Sequence, residues 1–158
     1  LNVGTDPLAA SKTSRLLEKA APAFDLPLLD GGSVSSDDLA GKTVIVNFWN
    51  EWCEPCLAEL PALKDFWTAH QGDSDLAMVG IAHASYLSDK KLAQYAQEEG
   101  LDWTIALDPK SKAALEFGIR GQPETFVISP SGEVVGYQLS QMSRADLEAM
   151  LAASRGMQ

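Results

Sequence analysis

Cys53 and Cys56, three positions apart, are the only cysteines among the 158 residues. They frame Cys53-Glu54-Pro55-Cys56, inside the stretch VIVNFWNEWCEPCLAELP that runs from Val44 to Pro61. Two sulfurs at this spacing support three chemistries. A structural disulfide closing so short a loop constrains the unfolded chain little. A zinc site needs about four ligands in tetrahedral array. The only imidazoles, His70 and His83, stand at no recognisable ligand spacing. A redox dithiol needs only the pair and a setting that favours a thiolate, and this is the reading the residues favour.

The flanking segments say what that setting is. Thr43–Trp49 is almost continuously apolar and β-branched, as expected of a central strand covered on both faces. After the cysteines, Leu57, Leu60, Leu63, Phe66 and Trp67 recur at helical spacing, which predicts a helix to about His70. The cysteines thus fall where a strand hands over to a helix N-terminus. Unpaired N–H groups and the positive end of the helix dipole favour a thiolate there. Cys53 is placed to attack a disulfide, and Cys56, one turn deeper, to resolve the mixed disulfide. Pro55 suits a first turn, where its missing donor costs nothing. Pro61 removes a hydrogen bond to the Leu57 carbonyl and predicts a kink.

The rest of the chain alternates strands and helices. Residues 1–20 read as a tether, with a helical turn over 13–20, and 21–158 as one domain. Residues 23–29 and Ser33–Ser35 read as a hairpin turning at Asp30-Gly31-Gly32. Ser36 or Asp37 caps a short helix that ends at Gly41. A buried strand over Leu76–Ala82 precedes a helix over Asp89–Glu99 capped by Ser88. Thr104–Leu107 reads as a strand and Ser111–Phe117 as a short helix. Residues 125–128 and 133–137 form a second hairpin. Ser143 and Asp146 resemble a capping box before a last helix carrying Leu147, Met150 and Leu151. The class is α/β, with a mixed sheet flanked by helices.

A net charge of −10 argues against a nucleic-acid partner, because a phosphate-binding surface needs Lys and Arg. No run approaches the ~18 apolar residues of a membrane span. The chain opens on Leu1, so a trimmed start is expected, with a signal peptide or membrane anchor removed.

NFWNEWCEPC, the LAELP that follows it, and GQPETFVI from Gly121 together resemble the thioredoxin superfamily. Within it they resemble the extracytoplasmic branch that includes the TlpA, ResA and CcmG proteins. The likeness runs from about Ala23 to the last helix. It implies a thioredoxin-like fold with an N-terminal β-hairpin extension. It also implies a protein-disulfide reductase whose only redox group is the Cys53–Cys56 disulfide, with no metal. The expected location is the periplasm or outer face of the cytoplasmic membrane, anchored or secreted. The expected partners are a protein disulfide, such as the CxxCH pair of apocytochrome c, and a membrane thiol-disulfide electron donor. Some related proteins reduce copper-site cysteines instead.

The resemblance also assigns residues. On residue type alone Glu59 reads as a solvated helix glutamate. The resemblance makes it a buried acid that exchanges protons with Cys56. Thioredoxin carries a buried Asp six residues before its first cysteine, and here Asn47, which cannot titrate, holds that place. An X–Pro bond is trans by default, but the resemblance implies a cis Gln122–Pro123 bond, with the Gln122 backbone offered to a substrate strand. Glu124 reads either as an exposed residue at a strand start or, by resemblance, as facing the site. Trp49 reads as core, and Trp52 as a surface aromatic covering a substrate peptide. His83 reads as a satisfied histidine at a strand end, and Asp108 as a remote candidate for the site.

Glu51, Glu54, Glu59 and Glu124 would place carboxylates around Cys53, and like charges disfavour a thiolate. This points to a reductant rather than a strong oxidant, while the helix dipole pulls the other way. Two alternatives stay open. One is a disulfide-forming oxidase; the other is a copper carrier, for which no third ligand stands out. A peroxidase is disfavoured because the chain lacks a Pro-x-x-x-Thr-x-x-Cys arrangement.

Overall fold

The computed structural model describes residues 13–156. Strand β3 (Thr43–Trp49) lies at the centre of a five-stranded sheet, and every one of its residues is buried. The other strands are β4 (Leu76–Ala82), β5 (Thr104–Leu107), β6 (Glu124–Ile128) and β7 (Val134–Leu139), in the order β5-β4-β3-β6-β7. β4 runs parallel to β3 and β5 parallel to β4, whereas β6 and β7 close the sheet as an antiparallel hairpin. Each parallel step requires a crossover helix, which explains why strands and helices alternate up to β6. The short strands β1 (Asp25–Pro27) and β2 (Ser33–Ser35) form the separate N-terminal hairpin.

The period of two along β3 sorts the core into two layers. Ile45 and Trp49 pack with Leu60, Leu63 and Phe66 of α1 (Glu54–His70). The same layer holds Leu92 and Ala96 of α2 (Asp89–Glu98) and Leu147 and Leu151 of α4 (Arg144–Arg155). Val44, Val46 and Phe48 pack on the other side with Phe117 of α3 (Lys112–Phe117) and with Phe24, Leu26 and Val34 of the hairpin region. Phe48, Phe117 and Phe126 meet edge to face, with ring centroids 5.0–6.1 Å apart. Gly80, beside Asn47 on β4, is a close-approach site. A Cβ there would come within 3.0 Å of Trp103 Nε1 and 3.1 Å of Trp49 Nε1.

Helix α1 runs to His70 with Pro61 inside it, the extent its spacing predicts. Other boundaries differ from the sequence reading. The expected helix start at Ser111 is a 3₁₀ turn over Pro109–Ser111, with Lys110 and Ser111 at φ near +58° and +55°. The cap of α3 is Asp108, whose carboxylate accepts from Ala113 N at 2.8 Å and Ala114 N at 2.9 Å. That use takes Asp108 out of contention for the site. Residues 17–21 are laid along the β6–β7 hairpin: Glu18 N donates to Val134 O, and Ala21 N to Gly132 O. Residues 13–20 form turns rather than the expected helical turn, and residues 1–12 of the tether assigned to 1–20 lie outside the described residues. The capping box is present, with Ser143 Oγ accepting from Asp146 N and the Asp146 carboxylate from Ser143 N.

Candidate active site

The site begins where β3 ends. Asn50 is fully buried; its Oδ1 accepts from Trp52 N at 3.2 Å and its Nδ2 donates to His83 O at 3.0 Å, which shapes the turn. Cys53 follows as the N-cap of α1, with extended φ/ψ. Its Sγ accepts from Cys56 N at 3.2 Å, taking one of the donors that a helix start leaves unpaired. Pro55 occupies the first turn, as expected. Cys53 and Cys56 are joined in a disulfide, with Cα atoms 5.2 Å apart. Cys56 is the deeper of the two, at 1% exposed, as its place one turn along predicts, and Cys53 is buried as well, at 4%.

The loop before β6 lies against Cys53. The Gln122–Pro123 bond is cis, and Gln122 O lies 3.5 Å from Cys53 Sγ. Pro123 is buried, and its carbonyl accepts from Ser140 N at 2.9 Å, which ties the loop to the segment after β7.

Glu59 lies one turn after Cys56 on α1 and is 1% exposed, so the solvated reading does not hold. Its Oε1 accepts from Asn47 Nδ2 at 2.8 Å and its Oε2 from Met142 N at 3.0 Å. Burial pushes the carboxyl up from 4.5 to about 7; the Asn47 and Met142 hydrogen bonds oppose the rise without cancelling it. Asn47 also donates to Thr125 Oγ1 at 3.0 Å, because the β3–β6 register sets these two residues opposite each other. Glu59 and Asn47 thus form a buried polar unit under the dithiol layer.

Glu124 fits neither reading of the sequence. It is 1% exposed, so it is no surface residue. It stands opposite Phe48, one step out of phase with Thr125, and so points to the far side of the sheet from Asn47 and Glu59. There Oε2 accepts from Arg120 N at 2.5 Å and from Gly121 N at 3.0 Å, and Oε1 accepts from Tyr137 OH. Glu124 clamps the loop that carries Gln122. Burial, and after it the hydrogen bond to Glu124, push the Tyr137 hydroxyl up to about 12.

The acidic surround of Cys53 is also thinner than expected. Glu51 turns away, accepting from Ser85 Oγ at 2.7 Å and Tyr86 N at 2.8 Å. Glu54 is exposed in the first turn of α1. Trp49 is core, as expected, and stacks on Tyr95. Trp52 is 46% exposed, and its indole donates to Ala84 O at 2.8 Å. His83 is not the satisfied histidine expected: its buried Nδ1 has no partner among the described residues. His70 is engaged far from the dithiol, at the other end of α1, by Asp73 and Glu148. Among the described residues, no group of three or more His, Cys, Asp or Glu side chains is placed to hold a metal ion. Sequence reasoning missed Thr125, Met142 and Tyr137. Only the register could have exposed Thr125, and Met142 enters through its backbone, which residue type does not mark.

A disulfide at a helix N-cap, facing a cis-proline loop on a mixed sheet, defines a thiol-disulfide oxidoreductase of the thioredoxin-like fold. The chain belongs to the AhpC/TSA family, whose model matches residues 17–137. It is 28% identical to thiol-disulfide oxidoreductase ResA of Bacillus thuringiensis (strain Al Hakam), over 90% of this chain and 80% of that protein. It is 30% identical to thiol:disulfide interchange protein DsbE of Xylella fastidiosa, over 90% of this chain and 71% of that one. A crystal structure of a thioredoxin-family thiol:disulfide interchange protein from Chlorobium tepidum superposes with a TM-score of 0.72 at 28% identity. That match covers 90% of this chain and 98% of the other. Within this family setting, Val46 and Asn50 stand where the Pro and Thr of the peroxidase arrangement would precede Cys53.

Proposed function

We propose that the chain reduces disulfides of proteins outside the cytoplasm, with the CxxCH pair of apocytochrome c as the substrate class. The Cys53 thiolate attacks one sulfur of the substrate disulfide. A new S–S bond forms to Cys53, and the other substrate sulfur leaves as a thiolate. Cys56 then attacks Cys53 Sγ and expels the second substrate sulfur. The substrate has gained two electrons, and the chain has lost two as the Cys53–Cys56 disulfide. A membrane thiol-disulfide donor restores them, and no metal or other cofactor enters.

The observation that carries this reading is Glu59, buried one turn after Cys56 with a carboxyl pushed up to about 7. A group poised near neutrality accepts the Cys56 proton as that thiol becomes a nucleophile, and returns it when the disulfide is reduced. Asn47 suits this role because its amide has both a donor and an acceptor. Rotating it offers an acceptor to the protonated acid. Gln122, beside Cys53 Sγ, offers its backbone to the substrate strand, with Pro123 fixing the loop and Trp52 covering the peptide. Glu124 acts at one remove, through the loop. With Glu51 and Glu124 occupied elsewhere, the direction of electron flow rests less on crowded negative charge than the sequence implied. It rests on the family resemblance and on Glu59, whose raised proton affinity lessens the negative charge beside the pair.

The test mixes the reduced chain with a peptide carrying an oxidised CxxCH pair and follows both peptide thiols. Release of two thiols per chain, slowed about tenfold or more in Glu59→Gln near neutral pH, is the expected result. Unchanged rates in that variant would remove the acid from the mechanism. Peptide that is oxidised rather than reduced by the chain would favour the oxidase alternative.

A further inference from the structure

The turn carrying the dithiol is fastened to a second loop that the exchange reaction does not use. Three consecutive residues hold it. Asn50 donates to His83 O, Glu51 accepts from Ser85 Oγ and Tyr86 N, and Trp52 Nε1 donates to Ala84 O. Ala84 sits at φ near +56°, a conformation a non-glycine residue adopts at a cost, and its carbonyl is the one Trp52 holds. The product of this ordering is not burial. Tyr86 remains 81% exposed, with its ring stacked on Trp52 at a centroid separation of 5.3 Å.

The large apolar side chains exposed by more than a third, among the described residues, are Trp52, Leu57, Tyr86 and Leu115. Three of these four border the dithiol. Trp52 precedes Cys53, Leu57 N bonds Cys53 O one turn along α1, and Tyr86 stacks on Trp52. An apolar patch that is continuous with a reactive group marks a contact surface. Its chemistry is also legible. The Trp52 donor and the Tyr86 backbone N–H are already satisfied, so the patch presents ring surface, with the Tyr86 hydroxyl at its edge. Such a surface takes a flat apolar or aromatic side chain.

We propose that Tyr86, held against Trp52 by Glu51, is a specificity-determining residue. Its ring, stacked on Trp52 next to Cys53, selects protein disulfides flanked by an aromatic or apolar side chain. This rests on the proposed reductase reading. Glu51 is a positioning residue, acting through the loop. The occupant is the disulfide-bearing segment of the substrate, with its backbone toward Gln122 and the flanking side chain on the rings.

The experiment mixes the reduced chain with two cyclic peptide disulfides that differ only in the residue before the first half-cystine, Phe or Asp. Hydroxyethyl disulfide serves as a reference on the unmodified chain. The expected preference for Phe is about three- to tenfold, carried by the half-saturating concentration rather than the limiting rate. Tyr86→Ala and Glu51→Ala should bring the ratio below about twofold, and Tyr86→Phe should restore it. The ratio is internal to each variant, so a general loss of rate does not imitate the effect. An unchanged ratio in Tyr86→Ala, or a loss that Tyr86→Phe fails to restore, overturns the proposal. An unmodified chain that reduces hydroxyethyl disulfide but shows no preference overturns it too, while leaving the reductase reading intact. Failure to reduce any of the three disulfides overturns both.

Discussion

Replacing Glu59 by Gln should remove a specific piece of the pH dependence of stability. Burial raises the carboxyl from 4.5 to about 7, so the folded chain holds a proton that the unfolded chain releases between those values. The folded pKa is the higher one. The stabilisation is therefore complete below about pH 4.5 and is lost as pH rises through about 7. At about 1.4 kcal/mol per tenfold change in proton affinity, the whole span is worth about 3 kcal/mol. Glu59→Gln also has a fixed cost, because its amide can meet only one of the two donors, Asn47 Nδ2 and Met142 N, with an oxygen. A buried donor left unmatched costs about 1–3 kcal/mol at any pH, so it offsets the curve without bending it. The assay is denaturant unfolding of the disulfide form, for both chains, at a series of pH values from about 4 to 9. The stability of the unmodified chain minus that of the variant should fall by about 3 kcal/mol across the series, with most of the fall between about pH 5 and 7. Subtraction cancels other titrating groups, His70 among them. A flat difference would show that Glu59 titrates normally and would refute the reasoning from burial.

Three further outcomes follow from the geometry. Reduced Cys56→Ser should accumulate a mixed disulfide with a peptide substrate through Cys53, visible as an added peptide mass, whereas Cys53→Ser should accumulate none. Glu124→Ala leaves Arg120 N, Gly121 N and the Tyr137 hydroxyl without their buried acceptor; about 2–3 kcal/mol of unfolding stability should be lost, and less for Glu124→Gln, whose oxygen keeps the two backbone donors while its NH2 group can donate to the Tyr137 oxygen. His70 is held above its ordinary value by Asp73 and Glu148, whose hydrogen bonds and charges outweigh burial. Its contribution is therefore present below about 6.5 and lost as pH rises through the raised value, so His70→Gln should lower the unfolding midpoint near pH 6 and leave it nearly unchanged near pH 9.

The frame was legible in the sequence because its signals are local. Five apolar residues in the seven from Thr43 to Trp49 specify a strand buried on both faces, and Ser88 and Ser143 act as the caps their types suggest. Cys53, Cys56 and Pro55 needed only the strand-to-helix handover to be placed. What depended on register was not legible. Glu124 and Thr125 are neighbours in sequence, yet the pleat sends one to Tyr137 and the other to Asn47. Residue type gave no sign of which. Asp108 illustrates a second limit: a side chain can cap a helix from beyond a 3₁₀ turn, and that turn required left-handed φ at Lys110 and Ser111, which neither residue type announces. Glu51 shows a third, since the loop that occupies its carboxylate lies more than thirty residues away.

Equilibrating the chain with a dithiol–disulfide buffer over a pH series and trapping its thiols tests the roles of Cys53, Cys56 and Glu59 together. One reversible two-electron transition is expected, in which both thiols appear together. The dependence of the midpoint on pH should change slope near 7 in the unmodified chain and follow a plain course in Glu59→Gln. A pair that stays oxidised at every dithiol excess, or a midpoint that follows the same course with pH in both chains, would contradict those roles.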